Sequence, residues 1–581
     1  MMNTFYTSEV NTQMLIYLMK KHGVKKVVAS PGTTNICFVA SLQQDDFFEI
    51  YSSVDERSAA YMACGLAAEC GEPVALSCTG ATASRNYIPG LTEAFYRKLP
   101  VLAVTSTQHT GRIGQHVAQV IDRSNPLNDI VLTSVNIPTI HDEEDRWGYG
   151  IMLNKALLEL THRGGGPVHI NLTTTYSDDF SVKRLPTCQF IERIEHDGDF
   201  PVLAGKRVGI FIGAHRRIEK ELEQAIDDFC ESYDSVVICD QTSNYHGKYG
   251  VMGSLITDQA QYRPQCTQMD VLIHIGEVSG AYMSINAQEV WRVNPDGVVR
   301  DTFHKLRYVF EMSEMKFFLH YVNARDVKNT HMAMHKQWLD EYNKLYGKIP
   351  ELPFSNGWIA KQLAPRMPQN AVLHLGILNT LRNWNFFTTD VSICGYANTG
   401  GFGIDGGISS LLGAALADDS RLFFGVIGDL AFFYDMNACG NHYFSKNIRL
   451  LLINNGVGTE FKNYNHKAAK FGKDADAYMA AAGHFGNKSR TLVKHYAEDL
   501  GFEYMSAENK EEFLANMQRW LEPTVTEQPM LFEVFTDSKY ESDALKILYH
   551  LDSSAVGIAK SVIKQAVGEK GVHALKRILR N

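Results

Sequence analysis

Asp429 and Asn455 are the residues of this chain whose types and spacing best suit chemistry, and 26 positions separate them. Asp429 closes the apolar run Val426-Ile427-Gly428-Asp429-Leu430, and Asn455 sits in Leu452-Ile453-Asn454-Asn455-Gly456 at the end of a second such run. Between them, Phe432 to Ala438 carries apolar residues at helical spacing. The pattern predicts strand, loop, helix, strand, loop: one βαβ unit of a parallel sheet. Both oxygen ligands then emerge at carboxyl ends of strands, where open α/β sheets bind ligands. A carboxylate, an amide and loop carbonyls suit Mg²⁺, a hard cation that shares its shell with phosphates. The helix after Gly428-Asp429 would turn backbone N–H groups toward a diphosphate.

A second acid stands out near the other end of the chain. Glu56 follows Ser53-Val54-Asp55 and opens the Ala-rich segment from Arg57 to Ala68, which reads as a helix. A carboxylate there satisfies a helix dipole in the ordinary case. Cys78-Thr79-Gly80-Ala81 leads from an apolar strand into Asn86-Tyr87-Ile88-Pro89. Gln115, His116 and Gln119 cluster after Gly114.

The elements that must position these groups form three blocks. In the first, apolar runs at residues 24–29, 49–54, 74–78, 101–105 and 168–172 alternate with helical stretches. A polar stretch holding Lys183, Arg184, Pro186, Glu192 and Arg193 reads as a linker. The second block has apolar runs at 207–212, 235–239 and 271–275, and no Gly-x-Gly-x-x-Gly follows its first strand. The third carries the Asp429–Asn455 unit. The fold class is therefore α/β, with three doubly wound parallel-sheet domains at residues 1–180, 200–340 and 355–550. The amphipathic, basic segment 551–581 reads as a C-terminal helical tail, solvated on one face.

Composition narrows the function classes. At 581 residues the chain is too long for one core. A net charge of −9 gives no reason to expect nucleic acid as partner, and no apolar run approaches a membrane span. The N-terminus does not read as a signal peptide. Ten cysteines without a Cys-x-x-Cys pair speak for a reducing cytoplasm rather than a zinc site or disulfide scaffold.

Gly428-Asp429 followed by Asn454-Asn455 resembles the diphosphate-anchoring motif of thiamine diphosphate (ThDP) enzymes, with Leu430 where Gly is usual. Asp55-Glu56-Arg57-Ser58-Ala59 through Gly65-Leu66-Ala67 resembles the activating motif of their pyrimidine-binding domain. The resemblance implies that Glu56 hydrogen-bonds a pyrimidine nitrogen and promotes the imino tautomer that removes the thiazolium C2 proton. It implies that Thr79, Gly80 and Asn86 line the cofactor. Gln119 best matches the glutamine of the reacting centre, with Gln115 as the nearby alternative; a lone His such as His116 is more often structural than catalytic. Asn398-Thr399-Gly400-Gly401-Phe402-Gly403-Ile404-Asp405-Gly406 is similar to a segment of the 2-succinyl-5-enolpyruvyl-6-hydroxy-3-cyclohexene-1-carboxylate synthases. There Ile404 would wedge between the cofactor rings, beside Gly403. Asp429, Asn455 and the Val457 carbonyl would hold Mg²⁺, and Gly428 and Leu430 would flank the diphosphate.

The departures fall on charge. Thr34 and Thr399 stand where that synthase carries arginines for a polyanionic substrate, and only Arg382 falls where a substrate arginine is expected. The resemblance implies an enzyme that decarboxylates a 2-oxo acid and transfers the resulting carbanion to an unidentified acceptor, other than isochorismate. A simple decarboxylase, an acetolactate synthase-like enzyme carrying FAD and a non-catalytic ThDP-binding protein are the alternatives. It also implies a homodimer or homotetramer with ThDP at the subunit interface.

Overall fold

Strands of a parallel sheet with helices on both faces must be apolar along their whole length, and this requirement sorts the chain into its sheets. In the computed structural model, which describes residues 5–281, 283–325, 332–482 and 489–554, the chain divides into two units. One comprises residues 1–199 with 296–311, the other 200–295 with 312–581. The tail expected from residue 551 lies almost wholly outside the described residues.

The first unit holds β1 (Lys26–Ala29), β2 (Glu49–Ser52), β3 (Val74–Cys78), β4 (Val101–Thr107), β5 (Thr133–Ile137) and β6 (Val168–Thr173). Their order is β2-β1-β3-β4-β6-β5, with every neighbour parallel. The interior strands β3, β4 and β6 are buried at every residue. Helix Glu56–Cys70 begins where Asp55 accepts from the Arg57 and Ser58 backbone N–H groups. It ends where Gly71 turns left-handed, at φ 66°. Its small residues Ala59, Ala60, Ala63 and Ala67 share a buried cluster with Leu76, Tyr87 and Leu91. The stretch read as a linker contains a strand, β7 (Glu192–Ile194). Three residues with two charges carry no strand signal; pairing with a distant segment makes the strand.

In the second unit, β8 (Val208–Ile212), β9 (Val236–Cys239), β10 (Gly250–Met252), β11 (Gln268–Ile275) and β12 (Asn286–Val293) run in the order β10-β9-β8-β11-β12. Then β13 (Leu306–Phe310) pairs in parallel with β7 in the first unit. A further sheet contains β14 (Val372–Leu375), β15 (Cys394–Tyr396), β16 (Phe423–Gly428), β17 (Ile448–Asn454), β18 (Glu503–Ala507) and β19 (Met530–Phe535). Its order is β15-β14-β16-β17-β19-β18, parallel throughout. Helix Ser538–Leu548 completes this domain beyond its last strand. Its buried Glu541 accepts the Asn356 backbone N–H at 3.0 Å.

Strand order fixes where a ligand can enter. Connections leave β1 and β3 in opposite directions, as they do β14 and β16, and each reversal opens a crevice beyond the strand ends. The same reversal between β8 and β11 is closed by main chain. Gly213 donates to the Ile275 carbonyl at 2.9 Å, and Glu277 donates to the Ala214 carbonyl at 2.7 Å. A Cβ on Gly213 would lie 2.1 Å from the Glu277 carbonyl oxygen. Gly213→Ala is therefore expected to destabilise this unit by about 1–3 kcal/mol, at some 2–4 °C of thermal midpoint per kcal/mol, read by calorimetry or circular dichroism.

Candidate cofactor and reaction site

In the first unit, the loops after β1 and β3 meet across their crevice. Thr34 and Thr79 share a hydroxyl–hydroxyl hydrogen bond of 2.7 Å, and Thr34 also donates to the Ser106 carbonyl at 3.3 Å. Thr34 is buried, so at the position of an expected substrate arginine the side chain is turned into the protein. Gly80 lies against the Gln119 carbonyl, 3.0 Å from where its Cβ would be. Asn86 ends the short helix Thr82–Asn86 and is exposed.

Glu56 is half-buried at the helix start, and Asp55 takes the capping role beside it. Among the described residues, no hydrogen bond engages the Glu56 carboxylate. Burial pushes the Cys78 thiol at the end of β3 up to about 12, and the Glu56 charge adds to that push. Gln115, His116 and Gln119 are exposed on the loop beyond β4. Ala81, His116 and Gln119 have φ of 55°, 55° and 63°, a region that non-glycine residues enter at a cost of about 1–3 kcal/mol and that clusters at functional loops. Arg123, which the sequence reading passed over, fastens this loop. Buried, it donates to Ser84 Oγ (3.0 Å), the Ser106 carbonyl (3.1 Å) and Asn171 Oδ1 (2.9 Å). That burial lowers its pKa to about 10.

In the second unit, β16 and β17 run in register with Gly428 opposite Ile453, so Asp429 and Asn455 emerge on adjacent loops. The Asp429 carboxylate is 2% exposed; it accepts the Gly456 N–H at 2.5 Å and the Leu430 N–H at 2.7 Å. Asn455 Oδ1 accepts Thr459 Oγ1 at 2.6 Å and the Val457 N–H at 3.4 Å. Asn454, one residue earlier and so on the opposite face, donates to Glu533 at 2.7 Å. Asp435 at the far end of helix Asp429–Asp435 takes both the Ser409 N–H and Oγ at 2.6 Å, pinning the helix that follows the glycine-rich loop. Gly403 and Ile404 of that loop line a small cavity with His374, Gly376 and Ile427, at the reversal between β14 and β16. Leu378 and Phe402 beside it have φ of 65° and 54°.

These residues fit a metal-bound diphosphate cofactor. Asp429, Asn455 and the Val457 carbonyl form a hard-oxygen set suited to Mg²⁺. His374 Nε2 at the cavity is buried without a hydrogen-bond partner, an orphan that a ligand group would satisfy. Arg382, the expected substrate arginine, donates from Nη1 and Nη2 to the two Glu460 oxygens at 2.5 and 3.0 Å.

Three parallel sheets with ligand loops at two topological reversals are the architecture of a ThDP enzyme. Residues 11–125 match the family described as thiamine pyrophosphate enzyme, N-terminal TPP binding domain. A 2-succinyl-5-enolpyruvyl-6-hydroxy-3-cyclohexene-1-carboxylate synthase of Phocaeicola vulgatus is 32% identical, covering 94% of this chain and 99% of the relative. One from Bacteroides thetaiotaomicron is 31% identical over the same shares. One from Flavobacterium johnsoniae is 26% identical over 92% and 97%. The protein is thus a ThDP-dependent enzyme acting on 2-oxo acids. It belongs to the 2-succinyl-5-enolpyruvyl-6-hydroxy-3-cyclohexene-1-carboxylate synthase family.

Removing the buried carboxylate tests the metal loop. Asp429→Ala is expected to abolish Mg²⁺-dependent ThDP retention in calorimetry, and unchanged binding would move the diphosphate site elsewhere.

Proposed function

We propose that the protein decarboxylates a 2-oxo acid and transfers what remains of it to a small-molecule acceptor. The observation that carries this reading is the Asp429–Gly456 hydrogen bond. It joins the loops that follow β16 and β17, next to the reversal between β14 and β16, in a chain that aligns with the named synthases over 94% of its length. Bound at these loops, ThDP supplies an electron sink for the carbon left behind when CO₂ departs. The chain's own residues then divide the work. Glu56 holds the proton at the pyrimidine ring nitrogen. Thr79, Gly80 and Asn86 border the cofactor, and Gln119, with Gln115 and His116, borders the reacting carbon. Asp429, Asn455 and the Val457 carbonyl hold Mg²⁺. Gly428 and Leu430 flank the diphosphate, and Gly403 and Ile404 support the rings. Arg382 orients the substrate.

The acceptor in this reading is not the polyanion of the named relatives, because Thr34 spends its hydroxyl on Thr79 and Ser106 and Thr399 is buried. Domains at residues 1–180, 200–340 and 355–550, a homodimer as smallest active unit and a cytoplasmic location complete the proposal. The ten cysteines support that location, for all are free. Among the described residues no helix is long and apolar enough to cross a membrane.

Two experiments test the reading. A panel of 2-oxo acids with ThDP and Mg²⁺ is expected to release CO₂, faster once the right acceptor is added; silence across the panel sinks it. Glu56→Gln is expected to keep ThDP affinity but slow cofactor C2–H exchange by about 10²-fold or more, read by deuterium exchange in NMR. Near-normal exchange would remove Glu56 from its role.

A further inference from the structure

Beside Arg382 the second unit holds a cavity of about 220 Å³, lined by Ser254, Asp258, Arg263, Arg382, Asn385 and Tyr549 among others. Its hydrogen-bonding capacity and its charge point in different directions. Asn385 is 1% exposed, and its Nδ2 has no partner. The Tyr549 hydroxyl likewise meets no hydrogen-bond partner among the described residues. Both groups can donate to a ligand oxygen. The Arg382 charge, by contrast, is already paired. Glu460 occupies two nitrogens of the Arg382 guanidinium, and Asn463 Nδ2 steadies the Glu460 carboxylate at 3.3 Å. Lys462 next to it is committed to Asp476. Asp258 stands in the cavity opposite Arg263. Burial pushes its carboxyl up to about 7, with Arg263 and Arg382 opposing that shift. A ligand carboxylate that sought the Arg382 Nη1–Nη2 fork would have to take it from Glu460 and leave that partly buried acid without its cation.

We propose that Glu460 sets the specificity of this pocket: by closing the Arg382 fork, it makes the cavity accept an uncharged polar group, an amide or hydroxyl, in place of a second carboxylate. The proposal rests on the carboligase reading, whose substrate it narrows. It explains how a site can retain an arginine and still not select a polyanion. Glu460 is a positioning residue, acting through Arg382. It sits in the turn Thr459–Lys462, directly after the metal loop, so substrate charge is read where the cofactor loop ends.

Glutarate and its monoamide, glutaramate, test this without turnover, because neither has a reactive ketone. The two match in size and differ by one charge. Calorimetry on ThDP- and Mg²⁺-loaded protein is expected to show glutaramate binding about ten-fold tighter than glutarate, or more. Glu460→Gln should reverse the preference by freeing Arg382, Glu460→Asp should restore it, and Arg382→Gln added to Glu460→Gln should erase the gain in glutarate affinity. An unchanged ratio in Glu460→Gln, or no binding of either ligand to either protein, overturns the proposal. If Glu460→Gln does not fold, the wild-type ratio decides alone, and equal or tighter binding of glutarate overturns it. CO₂ release on the 2-oxo acid panel reports separately on the underlying reaction, so failure of one is not mistaken for failure of the other.

Discussion

The parallel register of β16 and β17 is the constraint from which the reaction site follows. With Gly428 opposite Ile453, the two strands end level, and the chain leaves both toward the same side. Asp429 and Asn455 then have no choice but to be neighbours. The Gly456 N–H bonded to Asp429 locks the loops in that state. A carboxylate that is 2% exposed is costly to hold unless its charge is met. Backbone donors meet part of that cost, and a divalent cation suits the remainder. A shift of one residue in this register would turn Asn454 outward and Asn455 toward Glu533, exchanging the proposed metal ligand for a core contact.

What was legible in the sequence is what is local. Asp429 and Asn455 lie at the ends of apolar runs, and Glu56 opens an Ala-rich helix, so pattern and spacing expose all three. The strands of the sheets announce themselves because both of their faces are buried. What was hidden is whatever joins distant segments. Glu460 lies 78 positions from Arg382, and nothing around either residue foretells the pair. Arg123 reaches Ser84 and Asn171 by folding alone. The strand Glu192–Ile194 looks like linker because its partner lies more than a hundred residues away. The left-handed conformations of His116, Gln119, Leu378 and Phe402 leave no composition signal, since none of the four is glycine.

Membership of a synthase family is compatible with the changed acceptor proposed above, because cofactor loops and substrate-facing positions would lie in different parts of the site. The cofactor loops are built from backbone geometry and a few oxygen ligands, which tolerate little change. The substrate-facing positions are single side chains on the rim of the same sheets. Thr34 shows how such a position could change at low cost: its hydroxyl bonds to Thr79 and the Ser106 carbonyl, and the side chain is buried. Glu460 shows the complementary route, in which a cation is retained and neutralised.

The closed crevice between β8 and β11 has a consequence for the history of the middle sheet. Its seal consists of main-chain atoms, the Gly213 and Glu277 N–H groups and the carbonyls they meet. Such a seal is indifferent to which side chains hang from it. Short of proline, which would remove an N–H donor, exchange of one amino acid for another leaves these bonds available, and at Gly213 a Cβ would crowd them. Opening a ligand crevice at this position therefore asks for a different main-chain path, and the middle sheet is held to its present form by its backbone more than by its side chains.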